Sequence, residues 1–368
     1  MAQDQDFAVI IGVQAYPGLT NLEGPENDAR AFRDWVVSPE GGNVPDGRRG
    51  QNFQPGWNGN VRMILSSDYP VVNAPNDARP ICADVQAAFN DLYDLAEANA
   101  KAGQGTVAGR RLYIYMAGHG IEPQLNHTAL LMANAKERRF GFHILGKDYA
   151  DFFYSAGFFA EILLFMDCCR DYFPMVPLTP VPFDTRSDHA APDHVHYLYG
   201  FATKWKRRSR ERPINGQTRG VFTTALLEGL RGGASDGNRI TAASLRSYLN
   251  ECMQLFFDPQ SLQDPEIPKQ PEFVQFPSEG DGLVIVENVP PLRYDVVIHL
   301  SPDTMGKRVQ VLGPKFTNVA AQTVASADRW PLQLPRGLYL AQALELGQQA
   351  DFEVKGTGGT VDVQLRAR

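Results

Sequence analysis

Apolar runs alternate with segments of helical periodicity through the first part of the chain. Runs rich in Val, Ile, Leu and Phe predict buried strands, and these lie at residues 7–13, 60–65, 111–115, 161–166 and 195–202. Apolar residues at three- and four-residue spacing predict amphipathic helices, at residues 30–36, 84–101, 148–156, 220–230 and 241–257. Strands that are apolar throughout and alternate with helices indicate an α/β fold, with a mostly parallel sheet covered by helices on both faces.

The pattern changes after Pro290-Pro291. Short strands with alternating apolar and polar residues follow, at residues 294–300, 308–312, 329–334, 339–344, 351–354 and 360–365. We therefore expect a first domain over residues 1–288 and a small all-β sandwich over residues 289–368. Nothing in the second domain has a catalytic pattern, so we expect it to dock on the first domain or to recruit a partner.

Composition and charge argue against several classes of protein. In a chain of 368 residues, 43% hydrophobic residues are enough for a large core. A formal charge of −7 argues against a general nucleic-acid binder. No apolar run reaches the roughly 18 residues of a membrane span, and the polar N-terminus is unlike a signal peptide. Four cysteines are too few for a disulfide framework, so we expect a cytoplasmic protein with reduced thiols and with no nucleic-acid or membrane partner.

Two short motifs carry the candidate chemistry. One is the strand end Tyr115-Met116-Ala117-Gly118-His119-Gly120, and the other is Met166-Asp167-Cys168-Cys169-Arg170. Parallel strands deliver their carboxyl ends to one edge of a sheet, so a histidine and a cysteine should meet there. That combination is typical of a thiol nucleophile with an acid/base partner. The two glycines allow a sharp turn and leave N–H groups open to a ligand, and we expect the N–H groups of Gly120 and Cys169 to form an oxyanion hole.

These motifs resemble those of the caspase-like cysteine peptidases, which include caspases, metacaspases and their prokaryotic relatives. The resemblance rests on Ala117-Gly118-His119-Gly120, on Asp167-Cys168-Cys169-Arg170 fifty positions later, and on two further elements, Asn27-Asp28-Ala29 and Gly220-Val221-Phe222-Thr223. It covers roughly residues 5 to 285. In the family pattern an aspartate lies two positions before the nucleophile, which implies Cys169 as nucleophile and His119 as its catalytic partner. Strand alternation agrees, since only one of two adjacent thiols faces the histidine.

The resemblance also bears on specificity. Caspases cut after Asp and hold it with arginine, whereas metacaspase-like enzymes cut after Arg or Lys and hold the cation with carboxylates at positions that are Asp28 and Asp167 here. Ala117 stands where the family often has serine, so the pocket is expected to differ in detail. Arg170 leaves cleavage after Asp as an alternative. Simpler roles also stay open, namely Asp28 as a helix cap and Asp167 as a structural hydrogen-bond acceptor.

Calcium activation, known among metacaspases, has no support in the sequence. Asp148, Asp151, Asp171 and Asp184 form no acidic pair at the expected places, and no Cys-x-x-Cys pair indicates zinc. No metal or cofactor is therefore predicted, and calcium activation stays open as an unsupported alternative.

The basic segment at residues 204–219 has two interpretations. It is a solvated loop, or it is a self-cleavage site for a peptidase that cuts after Arg or Lys. The leading hypothesis is a regulated cysteine endopeptidase whose partners are a protein or peptide substrate and an activating protein. The alternative is a catalytically silent caspase-like scaffold for protein interaction. By analogy with prokaryotic relatives, the resemblance implies a role in defence or cell death.

Overall fold

The structure is a computed structural model that describes residues 4–47, 56–183, 195–204, 206–207, 209–214, 216–265, 267, 269–276, 282–326, 329–356 and 359–367. Six α-helices occur in these residues: α1 Pro25–Val37, α2 Cys82–Lys101, α3 Gly146–Ala156, α4 Val221–Glu228, α5 Ala242–Cys252 and α6 Pro259–Gln263. The strands of the main sheet are β1 Asp6–Gly12, β2 Trp57–Asn58, β3 Val61–Leu65, β4 Gly109–Ala117, β5 Phe159–Asp167, β6 His196–Phe201 and β7 Glu272–Phe276.

The main sheet has the strand order β7-β6-β5-β4-β1-β3-β2. Its five inner strands are parallel, and only the edge strands β7 and β2 run antiparallel to their neighbours. The register aligns the carboxyl ends of the central strands, because Gly12 is opposite Ala117 and Ala117 is opposite Asp167. The predicted parallel sheet is confirmed, and both chemical motifs begin at this aligned edge.

Helices cover both faces of the sheet. Along β1, Val9 and Ile11 belong to a core that includes side chains of α2 and α3. Ala8 and Ile10 point to the opposite face and pack in a second core with α1, α4 and α5. Because both faces are buried, the central strands β1, β4 and β5 carry continuous apolar runs, with charged residues only near their ends, and these runs could be recognised. Full burial of each large apolar side chain contributes roughly 1.5–3 kcal/mol.

Some elements differ from the sequence-based expectation. The segment expected to be a solvated loop contains a β-hairpin, with strands Glu211–Ile214 and Gln217–Gly220. Among the described residues these strands pair only with each other, and they carry mostly polar side chains, so they give no apolar signal. β7 was also not predicted. A small sheet next to the motifs consists of strands Gly120–Glu122, Ala129–Leu131, His143–Leu145 and Asp171–Tyr172.

The C-terminal part is the predicted β-sandwich. One sheet contains Arg329–Pro335, Arg293–His299 and Val361–Gln364, and the other contains Asn318–Thr323, Arg308–Leu312, Gly337–Ala343, Gln348–Val354 and Arg366–Ala367. Apolar side chains from both sheets form one separate core. The edge strand Asn318–Thr323 was missed because most of its residues are exposed.

Two further short strands, Arg239–Thr241 and Val284–Glu287, pair with each other before the sandwich begins. The domain limit between residues 288 and 289 stays a prediction. Among the helices of the described residues, none combines the length and the apolar character that crossing a membrane requires.

Candidate active site

The histidine motif turns sharply at the end of β4. Gly118 has φ +153°, a region that side-chain-bearing residues rarely adopt. A Cβ at this position would lie 2.6 Å from Tyr16 Oη and 2.8 Å from the Val13 carbonyl oxygen. The Gly118 N–H also donates to the Asp167 carbonyl at 3.3 Å, which ties the ends of β4 and β5 together. Glycine is therefore required here by both conformation and space.

Tyr16 fixes the backbone and the ring of His119. The buried phenol accepts a hydrogen bond from the His119 N–H at 3.0 Å and donates to the Leu131 carbonyl at 3.0 Å. The Tyr16 and His119 rings lie 4.8 Å apart between centroids at an angle of 57°. Burial raises the pKa of the Tyr16 hydroxyl well above its ordinary value. Tyr16 is therefore a neutral support for His119.

The His119 ring is oriented by a backbone carbonyl. Its Nε2 lies 2.8 Å from the Thr20 carbonyl oxygen. A carbonyl only accepts hydrogen bonds, so Nε2 holds the proton of the neutral ring. Nδ1 then carries no proton in the neutral ring and is the nitrogen that can accept one. No sequence pattern predicts this contact, because Thr20 contributes only its main chain.

The two adjacent cysteines have different environments. Cys168 is 1% exposed and packs against Gly120, where a Cβ would lie 2.7 Å from the Cys168 Sγ. Burial raises the pKa of the Cys168 thiol well above its ordinary value, which makes it a poor nucleophile. Cys169 is only partly buried. Both thiols lie close enough to raise the pKa of Tyr16, the residue that contacts His119. This placement favours Cys169, although its role as nucleophile stays a prediction, as does the oxyanion hole at Gly120 and Cys169.

The Arg170 side chain is paired with groups inside the protein. Its guanidinium pairs with the buried Glu122, donates to the Thr203 carbonyl at 3.0 Å and contacts Glu272 at 2.7 Å. It also lies over the Phe201 ring at 4.9 Å. With a side chain 2% exposed, Arg170 is not available to bind an acidic substrate residue.

The two predicted pocket carboxylates come together beside Gly220. The Cα–Cβ direction of Gly220 points between them, and a Cβ there would lie 2.2 Å from Asp167 Oδ2 and 2.9 Å from Asp28 Oδ2. The Asp167 carboxylate accepts from the hydroxyl of Ser209 and from the hydroxyl and N–H of Thr223. Any side chain at Gly220 would fill the space between the carboxylates, which gives a physical reason for glycine in the Gly-Val-Phe-Thr motif.

Asp28 does not cap its helix. It lies one turn inside α1, whose N-cap position is Gly24. Its Oδ2 accepts from the Gly220 N–H at 2.7 Å, and its Oδ1 accepts from Nε of Arg219. Burial and the neighbouring charge of Asp167 raise the pKa of Asp28 to about 8, against the opposing effect of Arg219. Burial likewise raises the pKa of Asp167. The capping interpretation is therefore wrong, and the charged form of the pair is unfavourable unless a cation is bound.

A third carboxylate, Glu211, was missed. Its side chain accepts from the N–H groups of Glu23 and Gly24 at 3.3 and 3.2 Å, at the start of α1. Burial raises its pKa, and the charge of Asp167 contributes. The sequence placed Glu211 within a basic segment, where a single acid had no evident partner.

The described residues contain no cluster of three His, Cys, Asp or Glu side chains arranged for a metal. Asp148 contacts His127 at 3.0 Å, and Asp151 contacts Lys147 at 2.6 Å. Asp184 lies outside the described residues.

A parallel sheet with helices on both faces, and with a histidine and a cysteine at adjacent strand ends, is typical of α/β cysteine peptidases. A family model described as the caspase domain matches residues 5–272, and the chain belongs to this peptidase family.

Individual relatives are distant. A probable protease of a Desulfuromonadales bacterium is 26% identical over 243 residues, which is 62% of this chain and 26% of that protein. The chain thus spans about a quarter of that relative's length. Among solved structures, caspase-1 from Spodoptera frugiperda is 13% identical with a TM-score of 0.44, covering 74% of this chain and 87% of the other. A Geobacter sulfurreducens protein is also 13% identical, with a TM-score of 0.40, covering 74% and 93%.

Proposed function

We propose that this member of the caspase-domain family is a cysteine endopeptidase that cleaves after Arg or Lys. The observation that carries the proposal is the common sheet edge. There, the strand ends that bear His119 and Cys169 also bring Asp167 against Asp28. The first pair supplies the chemistry and the second supplies a site for a cation.

In the proposed mechanism the Cys169 sulfur attacks the carbonyl carbon of the scissile peptide bond. The thiol proton moves to Nδ1 of His119, while the Thr20 carbonyl holds the ring through Nε2–H. The C–N bond then breaks, and the leaving amine takes the proton from His119. Water, deprotonated by the same nitrogen, attacks the thioester and releases the acid and the thiol. The N–H groups of Gly120 and Cys169 hold the oxyanion in both steps.

The charge of the pocket supports basic specificity. Two adjacent buried carboxylates bind a guanidinium or an ammonium more favourably than a neutral or acidic side chain. The alternative of cleavage after Asp would need a free cation near Cys169. Arg170, the arginine next to the nucleophile, is paired with Glu122 instead.

The same proposal includes self-cleavage within residues 204–219. Lys206 N–H donates to the Arg170 carbonyl and Arg170 N–H donates to the Arg207 carbonyl, so the basic segment runs beside the proposed nucleophile. Lys204 and Lys206 are exposed, whereas Trp205 and Arg208 lie outside the described residues. Mass spectrometry of the purified enzyme would show new termini in this segment, and they should be absent from Cys169→Ala.

We also propose that the enzyme acts in the cytoplasm under control of a protein partner. All four cysteines, each within the described residues, are thiols rather than disulfides, which suits a reducing compartment. Participation in bacterial defence or cell death rests on the family resemblance alone.

The direct test uses fluorogenic peptides ending in Arg, Lys or Asp, with and without calcium. We expect release from Arg and Lys peptides that is lost in Cys169→Ala and retained in Cys168→Ala. Equal activity of the Cys169→Ala variant and the parent would refute the assignment. Release only from Asp peptides would refute the specificity.

A further inference from the structure

The acidic pair already holds a cation from its own chain. Nε of Arg219 donates to Asp28 Oδ1, and the charge of Arg219 lowers the pKa of Asp167 as well. The Arg219 side chain is 17% exposed and that of Asp28 is 3% exposed. A guanidinium thus occupies the carboxylates to which the proposed function assigns the substrate's basic side chain.

Arg219 reaches this position from the hairpin strand Gln217–Gly220. Polar contacts fasten that hairpin to the start of α1: Asn27 donates to the Thr218 carbonyl at 3.0 Å, and Thr218 donates to Glu23 at 2.8 Å. Glu211, on the other strand, accepts from two N–H groups of the same region. The hairpin residues are mostly exposed or half-buried. Such surface hydrogen bonds contribute about 0.5–1.5 kcal/mol each, so the seated hairpin can be displaced without unfolding the core.

Arg219 also lines an open cleft. Its lining includes Gln217, Thr224, Arg231 and Arg293. Burial and the nearby charge of Arg219 lower the pKa of Arg231, so Arg219 is held between two attractive carboxylates and a repelling cation. When the Arg219 side chain leaves Asp28, it can move into this solvated cleft.

We propose that Arg219 is an internal substitute for the substrate's basic side chain, and that an Arg or Lys residue of a substrate enters the Asp28–Asp167 site only when Arg219 moves out. The inference rests on the proposed function and extends it by naming the residue that keeps the site closed. The two cations compete for the same acceptor, because Arg219 already donates to Asp28 Oδ1 and Gly220 packs against both carboxylates. The enzyme is therefore restrained at substrate binding rather than at the Cys169–His119 pair.

The test measures binding of agmatine, a small guanidinium compound, by calorimetry in a Cys169→Ala background that cannot turn over. If Arg219 occupies the site in nine tenths of the molecules, only about one tenth can bind agmatine, so removing Arg219 raises the apparent affinity for agmatine about tenfold. We expect that increase in Arg219→Gln. The control is Arg212→Gln, which lies opposite Arg219 in the same hairpin but donates to the Phe256 carbonyl; its affinity should match that of the background. Unchanged or weaker binding in Arg219→Gln would overturn the inference.

A second variant covers the case in which Arg219→Gln does not fold. Thr218→Val keeps Arg219 and removes only the hydroxyl contact to Glu23, so agmatine affinity should rise by a smaller factor. Binding that is unchanged in Thr218→Val would overturn the inference. In the Arg219→Gln protein, adding Asp28→Asn should abolish the gain, which locates agmatine at the carboxylates; a gain that persists would count against the inference.

Peptide cleavage separates this inference from the proposed function. In enzyme with an intact Cys169, Arg219→Gln should lower KM for Arg peptides and leave kcat unchanged. Tighter agmatine binding without any cleavage would sustain the inference and reject the peptidase function. If the enzyme cleaves after Arg but Arg219→Gln changes neither KM nor agmatine affinity, the peptidase function is sustained and the inference about Arg219 is rejected.

Discussion

The buried Glu122–Arg170 pair gives a prediction whose size follows from the structure. Glu122 is fully buried and accepts from the Arg170 guanidinium, from the Asn126 N–H at 2.8 Å and from the Thr128 hydroxyl at 3.2 Å. Glu122→Ala removes all three acceptor contacts and leaves Arg170 with Glu272, a partner that is 34% exposed. Breaking a buried ion pair costs about 3–5 kcal/mol. Because Glu272 remains, we expect about 3 kcal/mol, at the lower end of that range.

Thermal unfolding measures the effect. For a domain of this size each kcal/mol shifts the melting temperature by about 2–4 °C, so Glu122→Ala should melt roughly 6–12 °C below the parent. Glu122→Ala/Arg170→Met should regain part of the loss, because no unpaired charge remains buried. The matched control is Glu345→Ala, which breaks an exposed ion pair with Lys307 and should leave the melting temperature unchanged. If Glu122→Ala has the same melting temperature as this control, the conclusion that buried partners hold the Arg170 side chain is wrong.

Three further predictions concern the site. Tyr16→Phe removes the hydroxyl that holds the His119 backbone and should lower kcat severalfold with KM unchanged, since a buried hydrogen-bond network is lost; an unchanged kcat would contradict this. Gly120→Ala places a methyl group 2.7 Å from the Cys168 Sγ, so steady-state assays should find activity abolished in a protein that still folds; retained activity would refute the packing argument. The pKa of Asp28 is about 8 in the folded protein and 3.8 ordinarily. Between these two pH values the folded state holds a proton that the unfolded state has lost. The free energy of unfolding should therefore fall as pH rises through this window, by up to about 1.4 kcal/mol per pH unit. Asp28→Asn should flatten that slope in urea titrations from pH 5 to 8, and an equal slope in both proteins would be the contrary result.

The sequence predicted those parts of the fold that bury continuous apolar runs. β1, β4 and β5 are covered on both faces, so each contains a continuous apolar run, and the parallel sheet could be inferred from these runs. The histidine and cysteine motifs were predictable for a related reason, since each directly follows such a strand. Asp167 adjoins the cysteine motif, so it could be placed at the same edge.

Long-range polar contacts could not be predicted. Arg219 and Asp28 are 191 positions apart, and nothing in the surrounding residues distinguishes Arg219 from the other basic residues of its segment. The hairpin that carries it is polar on most of its surface, so it resembled a loop. The contact between His119 and Thr20 uses a main-chain oxygen, which any residue would provide. Such features depend on tertiary geometry rather than on residue type.

The central claim is that Cys169, and not its neighbour, is the nucleophile served by His119. The most direct measurement is mass spectrometry of the protein after brief treatment with iodoacetamide, with peptide mapping of the segment that contains both cysteines. The account predicts rapid alkylation of Cys169 that slows sharply in His119→Ala, with Cys168 unmodified in the folded protein. Alkylation of Cys168 first, or a Cys169 rate that is the same with and without His119, would contradict it.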